Sequence, residues 1–407
     1  MALLLPEAST VRRTNIFKLR PTKEQELELF RRADACACMW NQLTYKRRQS
    51  FFNHHMDWTS DEVYHHYKKV IGSASAQQII RKNNEAWKSF FALLKKKKAG
   101  TLPPHITRVR PPGYWKDKNT GQRKLIYVVR CDNYTLDNKL LTLPFKLKVQ
   151  WQGSNRWQGT QGRLEISCDA LTGHWYAFMP MEVDPPHQPQ GKKKAYVDLG
   201  VKVPIMATIG ATNHQVWGYR ANAMLADWWY WNHKLATHAS LLKTTNDKNT
   251  SKELRRLYRK RKRRFRDMAN KVVNDFVVHC WSQGVSEIVL GELTNIRASA
   301  NFSKKSNSMI HLFWSHRYLV KRIKEKAEEY GISVREIDER GTSSVCPRCN
   351  SKRVVRKGRL FRCVSCNLEA HRDAVGCVNI GLAQGEPLSA GVVNRAVARP
   401  TLLTLEV

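Results

Sequence analysis

The sequence predicts a multidomain α/β protein with a small metal-stabilised module inserted towards its carboxyl end. Three observations support this fold class. The pattern of apolar, charged and turn-forming residues changes near residues 21, 105 and 192. Buried-strand patterns alternate with amphipathic helices after residue 192. Four cysteines late in the chain form two Cys-x-x-Cys pairs. A chain of 407 residues, 42% of them hydrophobic, is long enough for several domains with separate cores.

The first region predicts a helical domain over residues 21–104. A basic strand-like start, VRRTNIFKLR, is followed by a capping-box pattern at Thr22 and Gln25, and helical spacing of apolar residues continues towards Gly100. Basic and aromatic side chains share the polar face. A core position is the simpler interpretation for any single aromatic, but the face as a whole favours nucleic acid. The predicted contacts are Arg47, Arg48, Arg81 and Trp87.

Residues 105–190 predict a small antiparallel barrel. The short runs LIYVVRC, LLTLPFKLKVQW, GRLEISCD and GHWYAFMPMEV are separated by Gly, Asn and Asp, which is typical of strands joined by turns. The basic strand near residue 16 is a candidate first member of this barrel. PPHQPQGKKK, over residues 185–194, then predicts a linker.

A very basic helix is predicted from about Ser251 to Trp281. It has an apolar seam at three- and four-residue spacing, and ten of the residues from Lys252 to Arg266 are lysine or arginine. So many like charges destabilise an isolated helix, so a phosphate backbone lying along it explains them better than solvent does. The predicted contacts are Arg255, Arg256, Arg259, Lys260, Lys262 and Arg263.

The overall charge also indicates a polyanionic partner. Lysine and arginine number 70 against 34 acidic residues, for a net charge of +36. Nucleic acid is the first candidate, and an anionic membrane surface is the second. No apolar run approaches the length of a membrane span, and the amino terminus is too short for a signal peptide. Ten cysteines without a secretory signal predict a reduced, cytoplasmic protein.

The paired cysteines predict a structural zinc site. Cys346 and Cys349 are separated from Cys363 and Cys366 by thirteen residues, so two knuckles can present four thiolates to one ion. Four soft ligands suit Zn²⁺ and leave no open coordination position. Two disulfides, or four ordinary buried cysteines, are the alternatives.

Three acidic residues are candidates for a second metal site. Asp198 ends the apolar run KKAYVD, Glu292 follows the buried-strand pattern SEIVLG, and Asp373 stands seven positions after Cys366 and just before a helical pattern. Strand ends of one sheet lie side by side, so these acids can converge and would then suit Mg²⁺ or Mn²⁺. Two such ions can activate a water and stabilise a leaving oxygen. Taken singly, Asp198 could be a turn residue and Glu292 a helix-start acid.

At this point three blocks carry a family resemblance. YVDLGVKVPIMATIG, IVLGELTNIR and GTSSVCPRC…CVSC…HRDAVGCVNIG resemble the split RuvC nuclease of transposon-encoded TnpB proteins, which compact type V CRISPR effectors share. The resemblance implies an RNase H-like (RuvC) nuclease domain with an inserted zinc ribbon, preceded by a wedge β-barrel that a helical recognition domain interrupts. The implied bounds are 1–20 and 105–190 for the wedge barrel, 21–104 for the recognition domain, 191–342 and 372–384 for the nuclease domain, and 343–371 for the zinc ribbon. Residues 385–407 have no clear period, and we expect a poorly ordered tail there.

The activity implied by the resemblance is RNA-guided cleavage of double-stranded DNA beside a short recognised motif. Asp198, Glu292 and Asp373 would be the metal-binding catalytic acids, and the four cysteines the zinc ligands. After Asp373 the chain departs from the family's D-R-D-x-N-A-A-x-N-I, because His371 replaces the first acid and Val375 the first asparagine, while Asn379 stays in register. This departure affects the geometry of the third block.

Three other functions remain open at this point. An RNA-guided DNA-binding repressor would keep the fold and cut little. A guide-free nuclease such as a junction resolvase would give the basic, aromatic first half of the chain no purpose. A transposase is the least favoured, since no Tyr or Ser nucleophile stands in a recognisable context. The sequence leaves the choice between monomer and dimer open.

Overall fold

The structure is a computed structural model that describes residues 10–103, 106–118, 121–210, 215–292, 303–339, 341–386 and 397–404. The chain divides into two compact units, one ending at Asp184 and the other beginning at Pro185. The predicted linker over residues 185–194 starts at this division.

The first unit contains an eight-stranded antiparallel sheet. Its strands are β1 Val11–Arg20, β2 Ile126–Val129, β3 Thr135–Asp137, β4 Leu140–Leu143, β5 Leu147–Gln152, β6 Thr160–Gln161, β7 Leu164–Cys168 and β8 Trp175–Val183. The spatial order is β2-β7-β8-β1-β5-β4-β3, with β6 also paired to β8. β1 pairs with β8 from Val11 opposite Val183 to Lys18 opposite Tyr176. The early basic strand therefore joins the later strands, as the sequence suggested.

Three helices connect β1 to β2 in the chain: α1 Lys23–Phe52, α2 Asp61–Ile71 and α3 Ser73–Lys98. The capping box at Thr22 and Gln25 is formed, with both reciprocal hydrogen bonds present at the start of α1. Leu29 and Ile79 of the helices share one apolar core with Tyr127 and Trp175 of the sheet. The helices are thus part of the same packed unit as the strands.

Two predicted nucleic-acid contacts of the first unit are corrected by their burial. Trp87 is fully buried among phenylalanine rings, 5.7 Å from Phe51 and 5.6 Å from Phe90 between ring centroids. Arg47 is 1% exposed and donates a hydrogen bond to Asn83 Oδ1. Neither presents a surface to a ligand, because the basic, aromatic face of α1 packs against α3 at this point. Of the other two predicted contacts, Arg48 is half-buried and Arg81 is exposed.

The second unit contains a mixed six-stranded sheet. Its strands are β9 Lys193–Asp198, β10 Ile205–Ile209, β11 Val216–Tyr219, β12 Val285–Glu292, β13 Ser333–Asp338 and β17 Thr401–Leu403, in the spatial order β13-β12-β9-β10-β11-β17. β9, β10 and β11 form an antiparallel meander. β12 lies parallel to β9, and β13 lies parallel to β12. The carboxyl ends of β9, β12 and β13 therefore meet at one edge.

The last strand corrects the expectation of a poorly ordered tail. β17 pairs in parallel with β11, from Thr401 opposite Trp217 to Leu403 opposite Tyr219. Val397 is fully buried. Short apolar runs such as TLLTL carry too little periodicity to reveal a single edge strand. The remainder of the predicted tail, residues 387–396 and 405–407, lies outside the described residues.

Helices cover both faces of this sheet. They are α4 Asn222–Asn246, α5 Lys252–Ser282, the short α6 Lys304–Ser308 followed by a π-helical turn Met309–Phe313, α7 His316–Glu328 and α8 Arg372–Ala383. Val197 and Leu290 share a core with Phe276 of α5 and Ile323 of α7. On the other face, Tyr196 and Val289 pack with Ile380 of α8. The face of the sheet to which a side chain points therefore determines whether it packs against α5 and α7 or against α8.

A three-stranded antiparallel sheet lies beside the paired cysteines and includes one of them, Cys363. Its strands are β14 Val354–Lys357, β15 Leu360–Cys363 and β16 Glu369–His371, and β16 leads directly into α8. Within the part of the chain that the structure describes, no helix is both long and apolar enough to cross a bilayer.

Candidate catalytic and metal sites

The four paired cysteines meet in one cluster. Their Sγ atoms all lie within 4.8 Å of one another, and the Cys346–Cys366 and Cys349–Cys363 sulfur distances are 3.5 and 3.6 Å. Four sulfurs about 2.3 Å from a tetrahedral ion would be separated by about 3.8 Å, whereas a disulfide requires about 2.05 Å. The cluster therefore fits one tetrahedral ion and does not fit disulfides.

Two asparagines shape the knuckles of this cluster. Asn350 and Asn367 each follow the second cysteine of a pair, with φ of 58° and 55°. Asparagine tolerates this left-handed conformation better than most residues, so the backbone can turn sharply beside the sulfur atoms. The first knuckle is closed by the Asn350 amide, which donates to Cys346 O at 2.9 Å.

The pleat of β9 and β12 places Asp198 on the α8 face of the sheet. Val197 pairs with Leu290, and both point towards α5 and α7. Side chains alternate along a strand, so the next residues, Asp198 and Gly291, point towards α8. Glu292 follows Gly291 and points the other way, on the side of Leu290.

Glu339 is a further acidic side chain on the α8 face of the sheet, where β12 has only Gly291. In β13, Ile337 pairs with Gly291 and packs on the α8 face, so Glu339, two residues later, lies on that face as well. A Cβ on Gly291 would overlap Glu339 Oε2 and lie 3.0 Å from Ile380 Cδ1. The bare backbone at Gly291 therefore gives the Glu339 carboxylate the space to reach across β12 towards Asp198.

Helix α8 brings Asp373 to the same place. A Cβ on Gly376 would lie 2.7 Å from Asp198 Oδ2, so α8 approaches Asp198 as closely as a glycine allows. Asp373 lies one turn earlier, with 12% of its side chain exposed. It forms an ion pair with Arg359, which projects from the turn between β14 and β15. The cysteine-bearing sheet thus contributes a cation to the acidic cluster.

Asn379 joins α8 to the segment that follows Glu339. Its Nδ2 donates to the backbone carbonyl oxygens of Thr342 and Val345, the latter at 2.9 Å. The asparagine that stays in register with the family pattern is therefore a structural clamp between two parts of the site. The departures at His371 and Val375 leave α8 intact from Arg372 to Ala383.

The electrostatics of the cluster favour a cation. Burial, then the negative charges of Glu339 and Asp373, raise the pKa of Asp198 well above its usual range. Burial, then the charge of Asp338, raises the pKa of Glu339 to about 7. Such shifts mean that the carboxylates lack sufficient positive charge, which a hard divalent ion would supply through oxygen ligands. Among the described residues, only the four cysteines form a group of three or more side chains whose ligand atoms all lie within 4.8 Å of one another, so an ion held by all three acids would draw them closer together.

Of the three predicted acids, the structure brings Asp198 and Asp373 together and places Glu292 apart. Glu292 is exposed at the end of β12 and is not among the residues lining the cavity around the other acids. Glu339 was missed because it lies in none of the motif blocks that carried the resemblance. Two features of the sequence point to Glu339. Gly291, directly before the predicted acid Glu292, leaves open space at the end of its strand, and Glu339 stands just past the end of the next strand, in VREIDE.

A cavity of about 570 Å³ opens over the cluster. Asp198, Glu339 and Asp373 line it. Three cations, Lys202, Arg359 and Arg372, also line it, and so do the apolar side chains of Met309, Ile310 and Trp314. Acids that can hold a cation thus share one cavity with cations that can hold an anion.

The predicted basic surface on α5 is solvent-accessible. Arg256, Lys260, Lys262 and Arg263 are exposed, and Arg255 and Arg259 are half-buried. The buried seam includes Leu254, Met268, Val272 and Phe276. Lys260 Nζ lies 5.0 Å above the ring of Trp231, which adds an aromatic neighbour to the charge. Contact of these residues with nucleic acid stays a prediction.

Two family models match the chain between residues 178 and 380. One, described as a probable transposase, covers residues 178–297, and the other, described as a Cas12f1-like TNB domain, covers residues 316–380. The TnpB-like protein ORF457 of Acidianus two-tailed virus is 34% identical over 420 residues, which span 96% of this chain and 89% of that protein. The chain belongs to the TnpB-like family.

More distant relatives agree with this assignment. The CRISPR-associated endodeoxyribonuclease Cas12f1 of Sulfoacidibacillus thermotolerans is 32% identical over 121 residues, 29% of this TnpB-like chain and 27% of that protein. The fold resembles a solved Cas12f1–sgRNA–target DNA complex with a TM-score of 0.57 and 12% identity, covering 91% of this chain and 98% of that one. This likeness shows a type V effector fold.

Proposed function

We propose that this TnpB-like protein is an RNA-guided DNA endonuclease with a single metal-dependent site. The observation that carries the proposal is the convergence of Asp198, Glu339 and Asp373 at one sheet edge, with the pKa of two of these acids raised. The Cas12f1 relative is an endodeoxyribonuclease, and the similar solved structure holds guide RNA and target DNA. Guide pairing beside a short DNA motif would then select the target.

The three carboxylates are the proposed ligands of Mg²⁺ or Mn²⁺. Such ions, when bound, supply an activated water and stabilise the leaving oxygen of a phosphodiester. Asp198 ends β9, Glu339 extends towards it past Gly291, and Asp373 completes the set from α8. Arg359 pairs with Asp373 and can exchange that partner for a phosphate oxygen. Glu292, predicted from the resemblance, would then have no catalytic role.

The cysteine cluster is the proposed site of a structural Zn²⁺. Four sulfur ligands complete a tetrahedron, so this ion would have no open position for chemistry. Its contribution would be to fold the small sheet that carries Arg359 and leads into α8.

Guide RNA and double-stranded DNA are the proposed partners. The exposed basic residues of α5 and the net charge of +36 support a polyanion bound along this helix. The family model's description as a probable transposase keeps strand transfer as a second candidate, since it acts on the same phosphodiester bonds.

The test is plasmid cleavage by single carboxylate variants with matched and scrambled guide RNA. Asp198→Asn, Glu339→Gln and Asp373→Asn should each lose about a thousandfold or more in cutting rate, because the members of one catalytic unit act together. Glu292→Gln is the matched control and should cut like the wild type. All four should still bind guide and target. Full cutting by Glu339→Gln together with loss in Glu292→Gln would restore the acid predicted from the resemblance.

Other outcomes separate the alternative functions. Cutting by the wild type without RNA indicates a guide-free nuclease. Guided binding without cutting, under Mg²⁺ and Mn²⁺, indicates a repressor. DNA ends joined to a second DNA molecule indicate a transposase.

A further inference from the structure

The cavity over the acids has an apolar side that metal and phosphate chemistry does not need. Met309 and Ile310, half-buried, line this side together with the buried Trp314. All three come from one short segment at the π-helical turn Met309–Phe313. The remaining lining residues include the acids and the three cations, so the cavity combines charged and apolar walls.

The π-helical turn Met309–Phe313 is anchored in the core of the second unit. Phe313 is buried, and its ring meets Trp228 at 5.6 Å and Phe265 at 5.5 Å, both edge to face. Trp314 belongs to the same core. Leu312, in contrast, is 67% exposed. Anchored in this way, the turn holds Met309 and Ile310 at the cavity. π-helical turns are rare and occur often at functional sites.

The size and charges of the cavity define what fits. The cavity volume of about 570 Å³ lies within the range of about 300–1,000 Å³ typical of pockets for one small ligand, so the cavity has room for one nucleotide. Lys202, Arg359 and Arg372 provide charge for a phosphodiester. An apolar wall beside bound phosphate suits the face of a nucleobase, because an unstacked base has an apolar face to bury.

We propose that Met309 and Ile310 form a platform for the nucleobase next to the scissile phosphate and thereby position that phosphate at the acids. This inference rests on the proposed nuclease function and adds a positioning element to it. The thioether of Met309 suits an aromatic base of any identity, since a sulfur–aromatic contact is favourable and does not depend on the hydrogen-bonding groups of the base. The platform would therefore position the strand without reading its sequence.

The test replaces one nucleoside at a time around the cut with an abasic residue in guided target DNA. For wild type, one abasic position should raise KM about two- to tenfold, the range expected when a sulfur–aromatic or stacking interaction is removed. The double variant Met309→Ser, Ile310→Ser should show a similar increase on intact DNA and no further increase at that position. Met309→Leu should retain most of the wild-type behaviour, and Leu312→Ser, in the same turn but exposed, should behave like the wild type.

Two results would overturn the platform. One is that the KM increases caused by the abasic position and by the double variant multiply independently. The other is that Leu312→Ser raises KM as much as the double variant does. Thermal melting of each variant shows that it is folded. The same comparison is repeated as binding of a short single strand in Ca²⁺, which requires no cutting. If the abasic position and the double variant affect binding in a coupled way but the protein cuts no DNA, the nuclease function is refuted and the platform stands. If the protein cuts DNA but the two changes act independently, the platform alone is refuted.

Discussion

The cysteine cluster and the acidic cluster are built in opposite ways. The four cysteines lie within one short stretch of the chain, and two local knuckles direct their sulfurs to one point. The acids come from β9, from the end of β13 and from α8, and meet only because the sheet and α8 pack as they do. A locally built site tolerates error in the rest of the fold, whereas the acid site depends on the pleat of two strands.

A direct way to break this comparison is to move a carboxylate from one strand to the next. Glu339→Ala should lose about a thousandfold in guided cleavage. Adding Gly291→Glu to that variant places a carboxylate on the α8 face of β12, in the space that Glu339 vacates. We expect the double variant to recover at least about tenfold of the lost rate, because the new side chain projects on the same face as Asp198.

The control for this transfer is Gly291→Ala with Glu339 intact. Its Cβ overlaps Glu339 Oε2, so cleavage should fall although no acid is removed. No recovery in the double variant, combined with normal cutting by Gly291→Ala, would show that Glu339 does not act across β12.

The cysteine cluster provides the next test, because its loss should act at a distance. Cys363→Ser should release zinc, unfold the sheet β14–β16 and displace both Arg359 and the start of α8. Guided cleavage should fall by about a hundredfold or more, while RNA binding through α5 remains. Zinc content and cutting rate are measured together, with Cys131→Ser, an exposed cysteine outside the cluster, as the control. Wild-type cutting by zinc-free protein would separate the two sites.

The same contrast shows how far the sequence could be interpreted. It predicted that the four cysteines cluster, that Asp198 ends a strand and that Asp373 stands at the start of a helix, because each of these depends on local sequence. It did not predict Glu339, because the choice between Glu292 and Glu339 depends on strand alternation, where one residue reverses the face. It also misplaced Arg47 and Trp87, because a helical period does not reveal which basic face will pack against another helix.

A smaller effect is expected on the salt dependence of RNA binding, which should differ between exposed basic residues on α5 and exposed basic residues elsewhere. Changing Arg256, Lys260, Lys262 and Arg263 to Gln should weaken RNA binding and lower the salt slope of log K by about 0.7–0.9 for each phosphate that the variant no longer neutralises. The matched control changes Lys95, Lys96, Lys97 and Lys98, four exposed lysines at the end of α3, and removes the same charge. Equal slopes for the two variants would show that α5 contributes only general charge.

The smallest expected effect is a pH dependence of stability in the absence of magnesium. The folded protein holds the Glu339 proton up to about pH 7, against a usual pKa of 4.5, because the carboxyl is buried. This contribution to stability is complete below pH 4.5 and is lost as the pH rises through 7, so the folded state loses at most about 3 kcal/mol relative to the unfolded chain. Mg²⁺ should reverse the trend, since it favours the deprotonated acid. Melting temperatures from pH 4.5 to 7.5 test this. Glu339→Gln should make the profile shallower and leave the part of the slope that is due to Asp198, whose pKa is also raised, whereas Glu292→Gln, exposed on the other face, should leave the profile unchanged. Profiles of equal slope for wild type and Glu339→Gln would mean that Glu339 is solvated like Glu292, and the difference between the two strand ends would then have no electrostatic basis.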